Sequence, residues 1–205
     1  IFMDADNFYN IDELKTINFI EKNTIFKNGY TINKKTKKII RALVIVHTFG
    51  NPCKMNRLLG ICKERNIKII EDASESLGSK YIQGKLKNKF TGTIGDIGCL
   101  SFNGNKIITA GSGGMILTNN SQLAEKAKYF IKQAKDDDVK YIHNNVGYNY
   151  AQTNIQASIG LAQFKKLRKI IKRKRTLHNQ YIDKIKSIQG INVVETPKYA
   201  ESNHW

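Results

Sequence analysis

Long apolar runs are missing from this sequence of 205 residues. No stretch approaches the roughly 20 consecutive apolar residues that a membrane-spanning helix needs, and no basic segment followed by an apolar one marks a secretion signal. Hydrophobic residues make up 40% of the chain and charged residues 25%, which is close to the globular average. The sequence therefore predicts a soluble, cytoplasmic protein with no membrane partner.

Cysteine and histidine are scarce, with three and four residues. Cys53, Cys62 and Cys99 are widely spaced, odd in number and surrounded by apolar residues, which argues against a disulfide framework and a zinc site. The histidines lack the short spacings of a metal motif. We therefore expect buried thiols and no metal, and we expect His47 to be a hydrogen-bonded residue at a strand end.

Acidic residues are half as numerous as basic ones, 17 against 34, so the net charge is +17. Such a charge favours a polyanionic partner such as nucleic acid. Lys, Ile and Asn are abundant together, however, which indicates a drift in residue usage, and the sequence contains no recognised nucleic-acid reading motif. We expect no nucleic-acid partner, and we interpret the basic segment 165–175 as the solvated face of an amphipathic helix.

Short apolar runs alternate with helical patterns along the chain. Helices are predicted at 12–22, 56–66, 121–134 (capped by Ser121) and 154–188, strands at 42–46, 67–70, 97–102, 114–118 and 191–194, and a hairpin or a loop insertion at 23–38. The short runs rich in β-branched residues at 42–46 and 67–70 are typical of buried parallel strands. Strand–helix–strand order predicts an α/β fold.

Two charged residues stand at positions where a ligand site is expected. Asp72 follows a predicted strand, and open α/β sheets bind ligands at the carboxyl ends of their strands. Lys106 lies in a polar loop, 103–113, that ends in glycines whose backbone can approach a bound group closely. The order of a nucleotide-binding P-loop is absent, so a nucleoside triphosphatase is not predicted.

Several segments together resemble the DegT/DnrJ family of sugar aminotransferases, which have the type I pyridoxal-phosphate (PLP) fold. The resemblance lies in residues 72–78 (DASESLG), 101–106 (SFNGNK), 147–150 (GYNY) with 154–157 (NIQA), 46–52 and 111–118. It covers nearly the whole chain. It is closest to members that act on nucleotide-linked 4-keto-6-deoxy sugars.

The resemblance implies an aspartate aminotransferase-like large domain with a mostly parallel sheet. Residues 1–153 would form the central part of this PLP-binding domain, and residues 154–205 a long interdomain helix and the start of a small C-terminal domain. The chain begins at Ile1 and stops at Trp205 without a cap or tail, so we expect a truncated piece of a longer protein.

The resemblance also assigns roles to residues. Lys106 would hold PLP as a Schiff base, for which its amine must lose a proton, and would then move a proton on the substrate. Asp72 would pair with the pyridine nitrogen and keep it protonated. Ser101 would bind the cofactor phosphate, and Glu75 would lie near the phenolic oxygen of the ring.

Asn149 matches a family asparagine that reaches the PLP phosphate of the neighbouring subunit, which implies a homodimer with a shared active site. Many relatives have Arg where this chain has Ala151.

The implied reaction transfers an amino group from an amino acid, such as glutamate, to a keto group of a nucleotide-linked deoxy sugar for surface polysaccharide or glycan biosynthesis. Sugar deoxygenation uses His instead of Lys106, and a truncated, non-catalytic member with a structural or regulatory role is the alternative.

Overall fold

The computed structural model describes all residues from Ile1 to Trp205. It contains five α-helices: α1 (Glu13–Asn23), α2 (Asn56–Glu64), α3 (Ser121–Ile131), α4 (Asn154–Phe164) and α5 (Leu167–Ile185). The nine strands are β1 (Thr24–Lys27), β2 (Tyr30–Asn33), β3 (Ile39–Ile40), β4 (Ala42–Val46), β5 (Lys68–Asp72), β6 (Lys80–Tyr81), β7 (Ile97–Ser101), β8 (Gly114–Leu117) and β9 (Ala200–Glu201). This succession of elements confirms the predicted α/β class.

A four-stranded sheet in the order β4, β5, β7, β8 forms the centre of the fold. β4, β5 and β7 are parallel and β8 is antiparallel to β7, so the sheet is mostly parallel, as predicted. α2 connects β4 to β5 and buries Leu58 and Cys62 in one apolar cluster with Ile45 and Ile69. Burial of each large aliphatic side chain stabilises this unit by about 1.5–3 kcal/mol.

One face of β4 differs from the prediction of a fully buried strand. Val44 and Val46 are 54% and 41% exposed, whereas Ile45 between them is fully buried. Successive side chains of a strand point to opposite faces, so one face of β4 is open in this chain. The sequence did not reveal this, because an unbroken apolar run fits a covered face and an open one equally.

The N-terminal region follows its local sequence signals. The Asp12 side chain caps α1 by accepting a hydrogen bond from the Lys15 N–H at 2.9 Å. Asn28 and Gly29 join β1 to β2 with φ values of 52° and 77°, the left-handed backbone that a two-residue hairpin turn needs. The predicted first helix and the predicted hairpin are both confirmed.

The boundaries of α3 differ from the prediction at both ends. Asn120, not Ser121, caps the helix, because its side chain accepts a hydrogen bond from the Leu123 N–H at 3.1 Å. The helix ends at Ile131, before the predicted Ala134, since Gln133 and Ala134 have φ values of 68° and 50° that a right-handed helix excludes.

The C-terminal part also departs from the sequence pattern. The predicted helix 154–188 is two helices, because the N–H of Lys166 bonds to the carbonyl of Gln163 and tightens the chain between α4 and α5. The predicted strand at 191–194 is wrong: these residues are irregular and no neighbouring strand pairs with them. None of the helices combines the length and the apolar character needed to cross a membrane.

Two contacts bring the C-terminal segments to the sheet. Leu167 and Ile171 of α5 pack in a buried cluster with Phe102, Ile107 and Ile108, which lie on either side of Lys106 in the sequence. β9 pairs antiparallel with β6. Residues 202–205, which follow β9, therefore lie beside the residues that follow β5.

Candidate active site

Asp72 and Ser101 lie at the same edge of the central sheet. Asp72 is the last residue of β5 and stands in register with Val46 of β4 and Cys99 of β7. Ser101 ends β7 two residues later. Because these three strands are parallel, their carboxyl ends meet at one edge, where open α/β sheets bind ligands.

The Asp72 carboxylate is half-buried and has accepting capacity to spare. Its Oδ1 accepts a hydrogen bond from the Ser74 N–H at 3.0 Å, and Oδ2 accepts none from the protein. Its backbone carbonyl accepts from the N–H of His47 at 3.0 Å, which joins the ends of β4 and β5. The strand ends fix the backbone of Asp72, while one carboxylate oxygen stays available to a ligand.

Lys106 lies in a closed loop between β7 and β8. The Phe102 N–H donates to the Gly113 carbonyl and the Ala110 N–H donates to the Phe102 carbonyl, both at 2.9 Å, so the base of the loop is fixed on both sides. The Lys106 Nζ lies 4.7 Å from the centre of the Trp205 ring and takes part in no ion pair. The amine is thus held by an aromatic face and is not bound to a carboxylate.

Glu75 is fixed by the segment that follows β4. Its Oε2 accepts a hydrogen bond from the Phe49 N–H at 2.8 Å, and its backbone carbonyl accepts from the Asn203 side chain at 2.8 Å. Asn203 is fully buried, also donates to the Leu77 carbonyl at 3.0 Å, and accepts from the backbone N–H of Trp205 at 3.0 Å. Through Asn203, the chain end that carries Trp205 is fastened beside Glu75.

Gly50 is required for this close approach. Its φ is +79°, and a Cβ atom built on it would lie 2.0 Å from the Oδ1 of Asn203. An L side chain would therefore meet both backbone strain and a direct clash. The glycine allows the loop after β4 to contact residues 202–205.

An aromatic wall borders a cavity next to Lys106. The rings of Phe49 and Trp205 stack with centroids 6.4 Å apart and planes 16° apart. The adjoining cavity of about 400 Å³ is lined by these rings and by polar side chains that include Lys174, His178 and His204. Burial, together with His178, Arg175 and Lys174, lowers the pKa of His204 to about 4, so this imidazole is neutral at physiological pH.

The glycine-rich turn after Lys106 allows close backbone contacts. Gly111 and Gly113 have φ values of 84° and 90°, and a Cβ at Gly114 would lie 2.4 Å from the carbonyl oxygen of Leu100. Ser101 is half-buried, and its hydroxyl accepts a long hydrogen bond of 3.4 Å from the Asn103 N–H. The hydroxyl hydrogen of Ser101 remains free to donate to a ligand.

Asn149 lies in the segment between α3 and α4. It is exposed, forms a bridge with Lys132, and lines a cavity of about 810 Å³ together with the glycine turn, Gln152 and Gln156. No hydrogen bond joins it to Asp72, Glu75, Ser101 or Lys106. The structure thus places Asp72 and Ser101 at one sheet edge and connects Glu75 to Lys106 through Phe49 and Trp205, whereas Asn149 lines a cavity beside β7 and the glycine turn.

Phe49, Asn203 and Trp205 belong to this site but were not predicted from the sequence. Phe49 has a φ of 54°, a left-handed conformation that the neighbouring residues do not predict. Asn203 lies 128 positions from Glu75 in the sequence, so local patterns could not predict their contact. All three cysteines are free, with Cys53 and Cys62 buried and Cys99 half-buried. No group of three or more His, Cys, Asp or Glu side chains is arranged to hold a metal ion.

Comparison with known proteins shows which family the sequence matches. The sequence matches the DegT/DnrJ/EryC1/StrS aminotransferase family over residues 1–205. A GDP-perosamine synthase of Escherichia coli O157:H7 is 40% identical over 161 residues, which cover 78% of this chain and 43% of that protein.

Solved structures share the fold. A DegT DnrJ EryC1 StrS aminotransferase from Brucella abortus aligns with a TM-score of 0.83 and 24% identity, covering 99% of this chain and 50% of its own. An E. coli GDP-4-keto-6-deoxy-D-mannose-3-dehydratase with bound hydrated PLP aligns with a TM-score of 0.76 and 24% identity, covering 98% of this chain and 51% of its own. These likenesses confirm the predicted type I PLP-transferase fold. The chain spans about half the length of these proteins, and it belongs to the DegT/DnrJ/EryC1/StrS aminotransferase family.

Proposed function

We propose that the whole protein is a PLP-dependent aminotransferase that moves an amino group from an amino acid, with glutamate as donor, to a keto group of a nucleotide-linked deoxy sugar. The product would serve surface polysaccharide or glycan biosynthesis. Family membership and the similarity to a GDP-perosamine synthase support the reaction class. The observation that carries the proposal is a carboxylate at the carboxyl end of β5 together with an unpaired lysine amine in the loop that follows the neighbouring parallel strand β7.

The residues present fit PLP. The protonated pyridine nitrogen needs an anionic acceptor, and Oδ2 of Asp72 accepts no hydrogen bond from the protein. A phosphate needs donors, and the hydroxyl hydrogen of Ser101 takes part in no hydrogen bond within the chain. An aldehyde needs a free amine, and Lys106 is engaged only with an aromatic face.

Each of these residues has a distinct task. When bound, PLP supplies an electron sink for negative charge on the substrate carbon. Asp72 would hold the proton on the pyridine nitrogen by a charge-assisted hydrogen bond. The Lys106 amine would bind the cofactor and would move a proton at the reacting carbon. Glu75 is fixed by the Phe49 N–H, which would orient its carboxylate toward the phenolic oxygen of the ring.

Sugar deoxygenation is disfavoured by the residue at position 106. The resemblance on which the site rests places His there in deoxygenating members, and an imidazole cannot hold PLP covalently in the way that a primary amine does. Lys106 therefore favours transamination.

A homodimer is part of the same proposal, as are a cytoplasmic location and a domain boundary at 153–154. Asn149 would complete the phosphate site of the partner subunit. Its neighbourhood is suited to burial, since Tyr148 and Tyr150 stack at 5.0 Å and are 51% and 72% exposed, and Ile155 of α4 is 76% exposed. Exposed apolar surface of this kind favours a protein interface.

Transfer of a labelled amine tests the function. The protein in its full natural length, loaded with PLP, is incubated with 15N-glutamate and a nucleotide-linked 4-keto-6-deoxy sugar, and the sugar product is examined by mass spectrometry. We expect a 15N-labelled amino sugar and none with Lys106→Ala. The absence of a labelled amino sugar is the contrary result, and it is considered because this chain has Ala151 where many relatives have Arg. A protein that binds no PLP would instead be a structural or regulatory member.

A further inference from the structure

A buried pair of side chains lies behind the candidate site, and the proposed reaction does not use it. His47 follows β4 and Glu71 precedes Asp72 in β5. The His47 Nε2 and the Glu71 Oε2 are 3.0 Å apart, and both side chains are completely buried. A buried carboxylate is costly unless its charge is fully compensated, so its retention requires an explanation.

The hydrogen bonds determine the protonation state of His47. Its Nδ1 lies 3.0 Å from the backbone N–H of Cys53, and that N–H can only donate. Nδ1 must therefore present its lone pair. The ring proton then resides on Nε2, so His47 is a neutral imidazole that donates to Glu71.

Glu71 is surrounded by donors. Its Oε2 accepts from His47 and from the Gly92 N–H at 2.9 Å, and its Oε1 accepts from the N–H groups of Ile94 and Gly95, each at 2.6 Å. Burial opposes ionisation, but the hydrogen bond from His47 and the N–H groups of Gly95 and Gly92 outweigh it, so the pKa of Glu71 lies below its ordinary value. A glutamine at this position would direct the N–H groups of its side chain at surrounding N–H donors, so hydrogen bonds would be lost.

These contacts connect three segments that carry site residues. The His47 N–H donates to the carbonyl of Asp72 at 3.0 Å. The loop 92–95 bound by Glu71 leads into β7, which ends at Ser101 and continues to Lys106. The Cys53 contact fixes the other end of the loop in which Phe49 binds Glu75.

We propose that Glu71 and His47 act as a positioning pair, in which an ionised carboxylate and a neutral Nε2–H imidazole set Asp72 relative to the loop of Lys106. The inference rests on the proposed function, because it assumes that Asp72 binds the cofactor. Glu71 and Asp72 are neighbours in a strand, so their side chains point to opposite faces of the sheet. Glu71 thus acts through the backbone and not by touching the cofactor.

Cofactor affinity of matched variants distinguishes positioning from general stability. Glu71→Gln keeps the size of the side chain but removes two acceptor directions and the charge. The control is Glu13→Gln, since Glu13 is a carboxylate that is 95% buried near α2, bound to the Arg57 N–H and outside the site. Both variants are made in the full natural length, and melting temperature and the PLP dissociation constant are measured for each.

We expect both variants to melt at lower temperature, but only Glu71→Gln to bind PLP more weakly, by about tenfold or more, the scale seen when groups that orient the ligands of a metal are removed. Its kcat should fall at unchanged substrate KM. Equal PLP affinity in the two variants would overturn the inference. If wild-type protein binds no PLP, the proposed function itself fails, which is a separate outcome.

A second measurement keeps the inference testable if Glu71→Gln does not fold. 15N NMR of labelled histidine in the apo-protein should show the His47 proton on Nε2 and a bare Nδ1. His47→Asn retains an acceptor for the Cys53 N–H and loses the donor to Glu71, and we expect it to weaken PLP binding in the same way. A proton on Nδ1, or unchanged affinity in His47→Asn, would contradict the positioning pair.

Discussion

Asp72 and Lys106 bring opposite charges to the candidate site, and neither forms an ion pair within the chain. Most exposed ion pairs contribute little to stability, so leaving these two charges unpaired costs the fold little. The unpaired state matters for binding, because neither Oδ2 of Asp72 nor the amine of Lys106 is occupied by an ion-pair partner within the chain.

Replacing Asp72 with Asn tests the role of its charge. Asparagine retains an oxygen for the Ser74 N–H but cannot hold a pyridinium proton by charge. We expect kcat to fall on the order of 10²-fold, as for the loss of one well-placed electrostatic group. The melting temperature should change little, and a variant with wild-type turnover would contradict the assignment.

The buried carboxylate of Glu71 makes the free energy of unfolding depend on pH. Its folded pKa lies below the ordinary value of 4.5, so its ionised form adds stability above that pH, and the contribution is lost as the pH falls through the folded pKa. We expect Glu71→Gln to lower the free energy of unfolding by about 3 kcal/mol at neutral pH. Urea unfolding below pH 4.5 should bring the two proteins closer together, and a constant difference would contradict this account.

The elements that carry the site could be predicted where the signal was local. β5, β7 and the loop of Lys106 follow from short apolar runs and a cluster of glycines. The cap of α3 could not be placed, because Asn120 and Ser121 are both good caps and only the folded contact with Leu123 selects one. Residues 191–194 have the composition of a strand, yet they pair with no other strand, and composition alone does not supply a pairing partner.

The conformation of the loop after β4 should require Gly50 because of its positive φ and because of its close contact with Asn203. A control variant separates these two effects. Gly50→Ala adds strain at φ +79° and a clash with Asn203, whereas Gly29→Ala adds strain at φ +77° with no atom within 4 Å. We expect Gly29→Ala to cost about 1 kcal/mol and Gly50→Ala clearly more, on the order of 3 kcal/mol. Urea denaturation measures both, and equal losses would show that the contact with Asn203 is unimportant.

At the scale of the whole molecule, the sequence could not predict the contact between the C-terminal residues and the middle of the chain. Asn203 and Trp205 reach Glu75 and Lys106 because β9 pairs with β6, and neither short strand has a distinctive pattern. Motif resemblance located Asp72 and Lys106 without this information. It could not supply Phe49, Asn203 or Trp205, whose positions arise from long-range packing.

Mixed oligomers test whether Asn149 serves the neighbouring subunit. Lys106→Ala and Asn149→Ala are each expected to be inactive alone. If the two residues meet across a two-fold interface, a co-expressed mixture contains heterodimers with one intact site and should recover about a quarter of wild-type activity. No recovery would mean that Asn149 and Lys106 act in the same subunit.

Covalent capture of the cofactor tests the central claim most directly. The PLP-loaded protein is treated with borohydride and digested, and the lysine that carries the added mass is located by mass spectrometry. The proposed chemistry predicts attachment at Lys106, and loss of this attachment in Lys106→Arg, which keeps the charge but not the nucleophilic amine. Attachment at a different lysine, or none in the intact protein, would contradict the assignment of Lys106 as the residue that holds the cofactor.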